Sequence, residues 1–136
     1  MPYSLEIDES LGCIFARWHG RLTARDITAF YGDVEAHPDF RPGLKRFHDL
    51  RQADLDLDQA ELRSVAEVGK LGDERHGQRQ VAFLVGSETS FGVARMLMSM
   101  REPCNLNQNV FREFERATAW LKLPAELDDP LDTAEQ

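Results

Sequence analysis

The loop formed by residues 86–91 carries side chains suited to binding a small anion or polar ligand. It follows an apolar strand and opens a helix. Open α/β sheets bind ligands at the carboxyl edge of their strands, where helix N-termini offer N–H groups to anions. The alternative is a plain turn with Ser90 as the helix cap, because the loop lacks a phosphate-binding glycine motif and a Walker lysine. The candidate ligand-binding residues are Gly86, Ser87, Thr89, Ser90, Phe91 and Arg95.

The spacing Asp54-x-Asp56-x-Asp58 would suit a hard cation such as Ca²⁺, which prefers clustered carboxylate oxygens. An EF-hand loop also requires Gly at its sixth position and Glu at its twelfth, where this chain has Gln59 and Val65. Weak binding of Mg²⁺ is left open. We favour an interpretation in which the acids face water, the leucines between them pack inward and the last acid caps a helix. We therefore predict no metal and no cofactor.

Four histidines fall in different predicted elements, without the i, i+4 spacing of a helical metal site: His19, His37, His48 and His76. His48 and Asp49 are neighbours, but successive side chains of a strand point to opposite faces, so the two cannot pair directly. An imidazole with a carboxylate from elsewhere in the fold would still make a general base. Because the sequence contains no evident nucleophile, we predict no catalytic residue and expect that the protein is not an enzyme.

Three methionines, Met96, Met98 and Met100, recur on one predicted helix. Met96 and Met100 share the face expected to pack against the sheet, whereas Met98 points away from it. Methionine is an adaptable apolar contact residue, so an exposed Met98 would mark an association surface. Met98 therefore joins Asp54 and Asp56 as the candidate residues of an interaction surface.

The charge of the chain argues against several classes of partner. Its 16 basic and 24 acidic residues give a net charge of −8, and residues 125–136 contain acids but no basic residue. This balance does not build the positive surface that binds nucleic acid or an anionic membrane. The acidic end has almost no aromatic content, so we expect residues 125–136 to form a solvated tail outside one folded domain of residues 1–124.

The sequence offers no sign of a membrane segment or of secretion. Its longest apolar stretch, Val81–Val85, is far shorter than the about 20 residues of a membrane helix. The sequence beginning at Met1 lacks the basic and apolar regions of a secretory signal. We therefore expect no membrane insertion and a cytoplasmic location, with Cys13 and Cys104 as reduced thiols.

Hydrophobic periodicity predicts the elements that must position these residues. Residues 3–8 and 13–19 form a β-hairpin, and residues 45–50, 81–85 and 110–114 form three further strands. Two helices begin at capping signatures, one at Thr23 with Asp26 and one at Asp58 with Glu61. The second of these helices is expected to give way to a polar loop through the glycines at 69, 72 and 77. A third helix follows Ser90, and a fourth contains residues 117–121.

The resulting order ββαβαβαβα is typical of an α/β fold with a mixed sheet covered by helices. The sheet is antiparallel in its opening hairpin and parallel in its later strands. The stretch Val81–Val85 does not alternate, which predicts a strand buried on both faces in the middle of the sheet.

Several short segments of this sequence resemble those of the SpoIIAA-like, or STAS-type, family of small bacterial α/β domains, including its uncharacterised members. They are residues 20–23, 47–50, 79–86, 91–96, 110–114 and 117–121. The resemblance covers residues 3–123 and implies the SpoIIAA-like fold. Anti-anti-sigma members carry an Asp-Ser-x-Gly motif after the third strand, and phosphorylation of its serine switches partner binding. The matching residues 54–59 contain neither serine nor glycine, so the resemblance implies no such switch here.

For function, the resemblance implies a non-catalytic binding or regulatory module that associates with a partner protein or with a second copy as a homodimer. The acids at residues 54–58 would imitate only part of the charge of a phosphorylated serine. The alternative is a carrier of a small apolar or anionic, lipid-like ligand near residues 86–91. That alternative rests on the likeness in architecture between STAS domains and the lipid-transfer CRAL-TRIO fold.

Overall fold

The computed structural model describes residues 2–77, 79–100 and 107–131. Within these residues the chain forms five strands and four helices in the predicted order ββαβαβαβα. The elements are β1 (Tyr3–Asp8), β2 (Cys13–Arg21), α1 (Ala24–Ala36), β3 (Lys45–Asp54), α2 (Gln59–His76), β4 (Val81–Val85), α3 (Glu88–Met100), β5 (Gln108–Phe111) and α4 (Phe114–Trp120).

The five described strands form one sheet in the sequential order β1-β2-β3-β4-β5. β1 and β2 are an antiparallel hairpin, and all later neighbours pair in parallel, so the prediction of a mixed sheet is confirmed. β4 lies between β3 and β5, and all five of its side chains are buried. Its predicted burial on both faces is therefore confirmed, although the central position of the sheet belongs to β3.

The two faces of the sheet are covered unequally. On the first face, Trp18 of β2 packs against Phe30 of α1, and α2 and α3 complete the layer. On the second face, α4 is the only one of the four described helices, and its Phe114 packs against Phe47 of β3 with ring centroids 5.6 Å apart. Because α4 has only seven residues, it covers β3–β5 and leaves the β1–β2 side of the second face more open.

Both predicted capping boxes are present, at Thr23 with Asp26 and at Asp58 with Glu61. The predicted loop after residue 69 is wrong, because α2 continues to His76 and ends at Gly77, whose φ is 80°. Its buried side chains and Gly69 lie on one helical stripe against the core. That packing offsets the roughly 1 kcal/mol by which a glycine disfavours a helix.

Helix α3 begins earlier than predicted, at Glu88. Ser87, rather than Ser90, is the capping side chain, since its Oγ accepts a hydrogen bond from the Ser90 N–H at 3.1 Å. Ser90 is itself buried in the helix. The methionine assignment is also wrong, since Met96 is 47% exposed, whereas Met98 packs against the core of the first face.

The C-terminal part of the fold also differs from the expectation. β5 ends at Phe111, and Phe114 opens α4 instead of ending the strand. The boundary after residue 124 is wrong for residues 125–131, which lie against the second face: Leu127 packs on its apolar cluster and Asp129 pairs with Arg51. Residues 132–136 and Cys104 lie outside the described residues. None of the described helices is long and apolar enough to cross a membrane.

Candidate functional site

His48 and Asp49 lie on opposite faces of the sheet, as the strand period predicts. His48 is buried on the first face, where the Trp18 indole N–H donates to its Nδ1 at 3.1 Å. The imidazole ring also stacks on Phe83, with centroids 5.3 Å apart and planes 10° from parallel. Accepting this bond places the proton of the neutral ring on Nε2. The contacts described for His48 are those of a packed aromatic core.

An apolar cavity of about 60 Å³ adjoins His48 between the sheet and the helices of the first face. Its lining includes Phe30 of α1, Leu62 of α2 and Leu97 of α3. Ligand sites for drug-sized molecules have volumes of about 300–1,000 Å³. This cavity would therefore hold a lipid-like molecule only if the helices moved away from the sheet.

Asp49 takes part in a three-residue ionic network on the second face. The Arg51 Nε and Nη2 donate to the Asp49 carboxylate at 3.0 and 2.8 Å. The Nη1 and Nη2 of the same guanidinium donate to the Asp129 carboxylate at 2.8 and 2.7 Å. The side chains of Arg51, Asp49 and Asp129 are only 15%, 9% and 11% exposed. One guanidinium thus binds two carboxylates in bidentate fashion, which is the geometry that arginine favours.

The surroundings of Arg51 hold it in the charged form. Burial favours the neutral form of the side chain, but the hydrogen bonds to Asp49 and then to Asp129 outweigh it and raise the Arg51 pKa above its ordinary value. The guanidinium also lies over the Phe114 ring, 5.7 Å from its centroid, which adds a cation–π contact. Arg51 is therefore a fixed cation within the second face.

The segment that supplies Asp129 returns to the sheet through a sharp turn after α4. Lys122 has a φ of 58°, in the left-handed region, and its N–H donates to the Ala119 carbonyl at 3.0 Å. Asp129 Oδ1 also accepts a hydrogen bond from the Leu131 N–H at 3.0 Å, which shapes the segment around its carboxylate. We call residues 125–131 the C-terminal strap.

Cavities lie on both sides of the C-terminal strap. A groove of about 350 Å³ separates it from the more open β1–β2 side of the second face. A wider concavity of about 700 Å³ lies between the strap and α4. The groove has Phe15, Phe47 and Phe114 among its lining residues, together with the charged side chains of Glu6 and Arg17. It therefore combines apolar and charged lining.

The predicted ligand loop lies at the carboxyl edge of the sheet, beside Arg51. A Cβ built on Gly86 would lie 2.8 Å from the Arg51 carbonyl oxygen, so only glycine fits there. Ser87 is used as the helix cap, Glu88 is 3.6 Å from Arg112, and Arg95 lies over the Phe91 ring. Thr89 is exposed and Ser90 is buried. Residues 86–91 line none of the three cavities described above.

The predicted acidic surface is present in part. Asp54 and Asp56 are exposed at the end of β3, Leu55 between them is buried, and Asp58 caps α2. Met98 does not join them, because it packs against the core of the first face. Among the described residues, no group of three or more His, Cys, Asp or Glu side chains is arranged to hold a metal ion.

Sequence reasoning missed Arg51 and Asp129, the residues that join the strap to the sheet. Asp49 and Arg51 stand two apart on a strand, which places them on one face and could have indicated an ion pair. Nothing in the local pattern indicates Asp129, because its partner is 78 residues away along the chain. The surrounding run of acids instead suggested a solvated tail.

Comparisons with known proteins bear on the fold. No protein-family model matches the chain, and no curated protein matches it. A solved structure that does match is that of an uncharacterised protein from the DUF3478 family with a SpoIIAA-like fold, from Shewanella loihica PV-4. The two chains share 16% sequence identity with a TM-score of 0.57, and the match covers 88% of this chain and 91% of the other. The chain described above therefore has a SpoIIAA-like fold.

Proposed function

We propose that this protein is a non-catalytic binding module that associates with another protein through the groove on the second face of its sheet. The observation that carries the proposal is the uneven covering of the sheet, which leaves a groove of about 350 Å³ beside β1 and β2. An apolar floor with a polar, charged rim is the usual composition of a protein-binding surface. The rim contributes Glu6, Asp8, Arg17 and Asp128.

The contacts of the two residues with the best claim to chemistry support a non-catalytic role. His48 accepts from Trp18 inside the first face, and Asp49 pairs with Arg51 inside the second. The sheet separates the two side chains, so they cannot act on one substrate. The proposal includes a regulatory role through this association, with a partner protein or a second copy as its target.

A carrier of a small apolar ligand is the second candidate, and the cavity beside His48 is the observation that favours it. Its lining is apolar, but its volume of about 60 Å³ is well below that of ordinary ligand sites. Native mass spectrometry of gently purified protein, before and after addition of lipid extract, tests this candidate. A bound mass would favour the carrier over the association module.

Site-specific photo-crosslinking in cells tests the association module. A photoreactive residue replaces Arg17, which lines the groove, and a matched variant carries it at Arg25, an exposed arginine on α1. We expect one defined protein to be crosslinked from position 17 and not from position 25. The crosslinked protein is then purified and its complex with this chain reconstituted.

Two results would contradict the proposal. One is equal crosslinking from positions 17 and 25, which would indicate contacts without preference for the groove. The other is an identified protein that fails to form a complex when both purified components are mixed at micromolar concentrations. Crosslinking to a second copy would assign the groove to a homodimer, and the reconstituted species would then have twice the mass of one chain.

A further inference from the structure

The C-terminal strap is attached to the second face by two kinds of side-chain contact. Leu127 packs on the apolar cluster, and the Asp129 carboxylate receives two hydrogen bonds from Arg51. Between and before them, Ala125, Glu126 and Asp128 are exposed. The strap also has a groove on one side and a wider concavity on the other. The spacing of the two anchors defines a Leu-x-Asp pattern, and we call the surface beneath it the Leu-x-Asp seat.

The seat remains electrically compensated when the strap leaves it. Removing a partner from a buried charge is strongly unfavourable when the charge is left alone. Here Asp49 keeps its own hydrogen bonds to Nε and Nη2 of Arg51. When Asp129 leaves, Asp49 and Arg51 therefore remain as a pair without net charge. The Nη1 and Nη2 hydrogens of Arg51 that had bound the Asp129 carboxylate become available. Those hydrogens form a ready site for another carboxylate.

The C-terminal strap, which occupies the seat in the structure, indicates which side chains the seat binds. A leucine fits the apolar cluster, and a carboxylate two residues later fits the Arg51 fork. A segment of the same chain has a high effective concentration at its seat, about millimolar for a short tether. A competing segment from another molecule can bind only the chains whose strap is open. Its apparent affinity is therefore its intrinsic affinity multiplied by the fraction of open chains.

We propose that the Leu-x-Asp seat is a recognition site for an acidic Leu-x-Asp segment of a partner protein, and that the C-terminal strap is an internal ligand that keeps the site closed. The proposal rests on the proposed binding function and adds to it the chemistry of the partner and a means of regulation. A partner segment binds when it displaces the strap. Any change that weakens the Asp129 contact opens the site.

A labelled peptide with the sequence of residues 125–131, Ala-Glu-Leu-Asp-Asp-Pro-Leu, is the probe, and fluorescence anisotropy measures its binding. The full-length chain is compared with a released variant that carries Leu127→Ala and Asp129→Asn. We expect the released variant to bind the peptide at least about tenfold more tightly than the wild type, the factor expected from the loss of charge-assisted hydrogen bonds in the competing strap. Glu126→Gln removes one carboxylate charge at an exposed residue of the strap that does not line the groove, and should bind like the wild type.

Two further measurements separate recognition by the seat from adhesion to a loosened protein. Arg51→Lys in the released variant keeps the charge but loses the bidentate fork, and should weaken peptide binding by about tenfold. A peptide with Asn in place of its second Asp should bind the unchanged released variant about tenfold more weakly, and this comparison needs no further protein variant. Thermal unfolding of each variant records whether it is folded.

The proposal is overturned if the folded released variant shows no saturable binding, or binds no better than the wild type. It is also overturned if binding is indifferent to Arg51→Lys and to the Asn peptide. A dimer of the released variant in light scattering that excludes the peptide would assign the seat to a second copy instead. Crosslinking from position 17 is independent of these results, so failure of the seat leaves the proposed binding function to be judged by its own test.

Discussion

Arg51 joins the carboxylate of Asp49, on its own strand, to that of Asp129, 78 residues farther along the chain. Residues with this much charge are rarely buried unless they are paired, and here one cation serves two anions. His48, on the opposite face, is engaged by Trp18 and by aromatic rings. At the scale of the residue, the buried side chains of Arg51 and His48 are therefore each held by specific partners.

The thiol of Cys13 should be inert in the folded protein. Burial raises its pKa to about 12, so the nucleophilic thiolate is scarce at neutral pH. In a Cys104→Ser background, a disulfide reagent at about pH 8 should modify Cys13 only as fast as the protein unfolds. Full reaction in denaturant is the control, and rapid modification of the folded chain would show that the thiol is accessible.

The phenol of Tyr3 should titrate late. Burial, and then the hydrogen bond from its hydroxyl to Asp33, raise the Tyr3 pKa from 10.0 to about 12. A pKa raised on folding means that the stability from this group is present below pH 10 and is lost as the pH rises towards 12. In a Tyr31→Phe variant, absorbance near 295 nm should report this late ionisation. A midpoint near 10 in the folded protein would refute it.

At the scale of the element, both the start of α3 and the face that it turns to the sheet differ from the sequence prediction. α3 begins at Glu88 because Ser87 caps it, and Ser90 and Ala94 then face inward. Helical spacing had predicted that Met96 and Met100 share the inner face, whereas Met96 is exposed and Met98 packs inward. Ser87 therefore fixes where α3 begins, whereas packing against the sheet decides which of its faces is buried.

The strand-to-helix turn at Gly86 should tolerate no side chain. A Cβ there would lie 2.8 Å from the Arg51 carbonyl oxygen, and a backbone atom in a sheet cannot move away cheaply. We expect Gly86→Ala to lower the free energy of unfolding by about 1–3 kcal/mol, the usual range for overpacking. Urea unfolding measures the change.

Gly92→Ala is the matched control, since Gly92 lies in α3, the helix that follows this turn, with open space around its Cβ position. It should leave stability unchanged or raise it by up to about 1 kcal/mol, because alanine is the better helix former. Equal losses in the two variants would show that the close approach to Arg51 is not the cause.

At the scale of the whole molecule, ionic contacts join elements that are distant in sequence. Glu35 at the end of α1 accepts from His76 at 2.7 Å and from Arg75 at 2.8 Å, both at the end of α2. The C-terminal strap is joined to β3 in the same way by Asp129. On each face of the sheet, a carboxylate thus joins two distant segments: Glu35 joins α1 to α2, and Asp129 joins the strap to β3.

Acidification should loosen the contact between α1 and α2. The hydrogen bond from His76, helped by the charge of Arg75 and opposed by burial, lowers the Glu35 pKa below its ordinary value of 4.5. A lowered pKa means that the stability from this group is present above its ordinary pKa and is lost as the pH falls through the folded value. Urea midpoints between about pH 7 and about pH 3 should therefore fall less steeply for Glu35→Gln than for the wild type.

The exposed residue Glu67 on α2 supplies the control, since Glu67→Gln removes one carboxylate from the same helix layer. Its pH profile should keep a wild-type slope. If Glu35→Gln keeps the wild-type slope as well, the contact between the two helix ends makes no measurable contribution to acid stability.

Local features of the sequence determined the order of elements, the two capping boxes, the buried character of β4 and the exposure of Asp54 and Asp56. Each of these depends on residues within a few positions of one another, where period, caps and turns act directly. The chain alone also determined that His48 and Asp49 face opposite ways, since that follows from the strand period.

The tertiary structure decided the rest, because the deciding partners are distant in sequence. α2 continues through Gly69 because that glycine lies on its buried stripe, and the inner face of α3 is decided by its packing against the sheet. The acidic run after residue 124 looked like a solvated tail, yet its Leu127 meets an apolar cluster and its Asp129 meets Arg51. Only the fold brings the buried Arg51 side chain next to the strap, where its guanidinium binds the Asp129 carboxylate. The Asp129 carboxylate is therefore more stable beside Arg51 than in water.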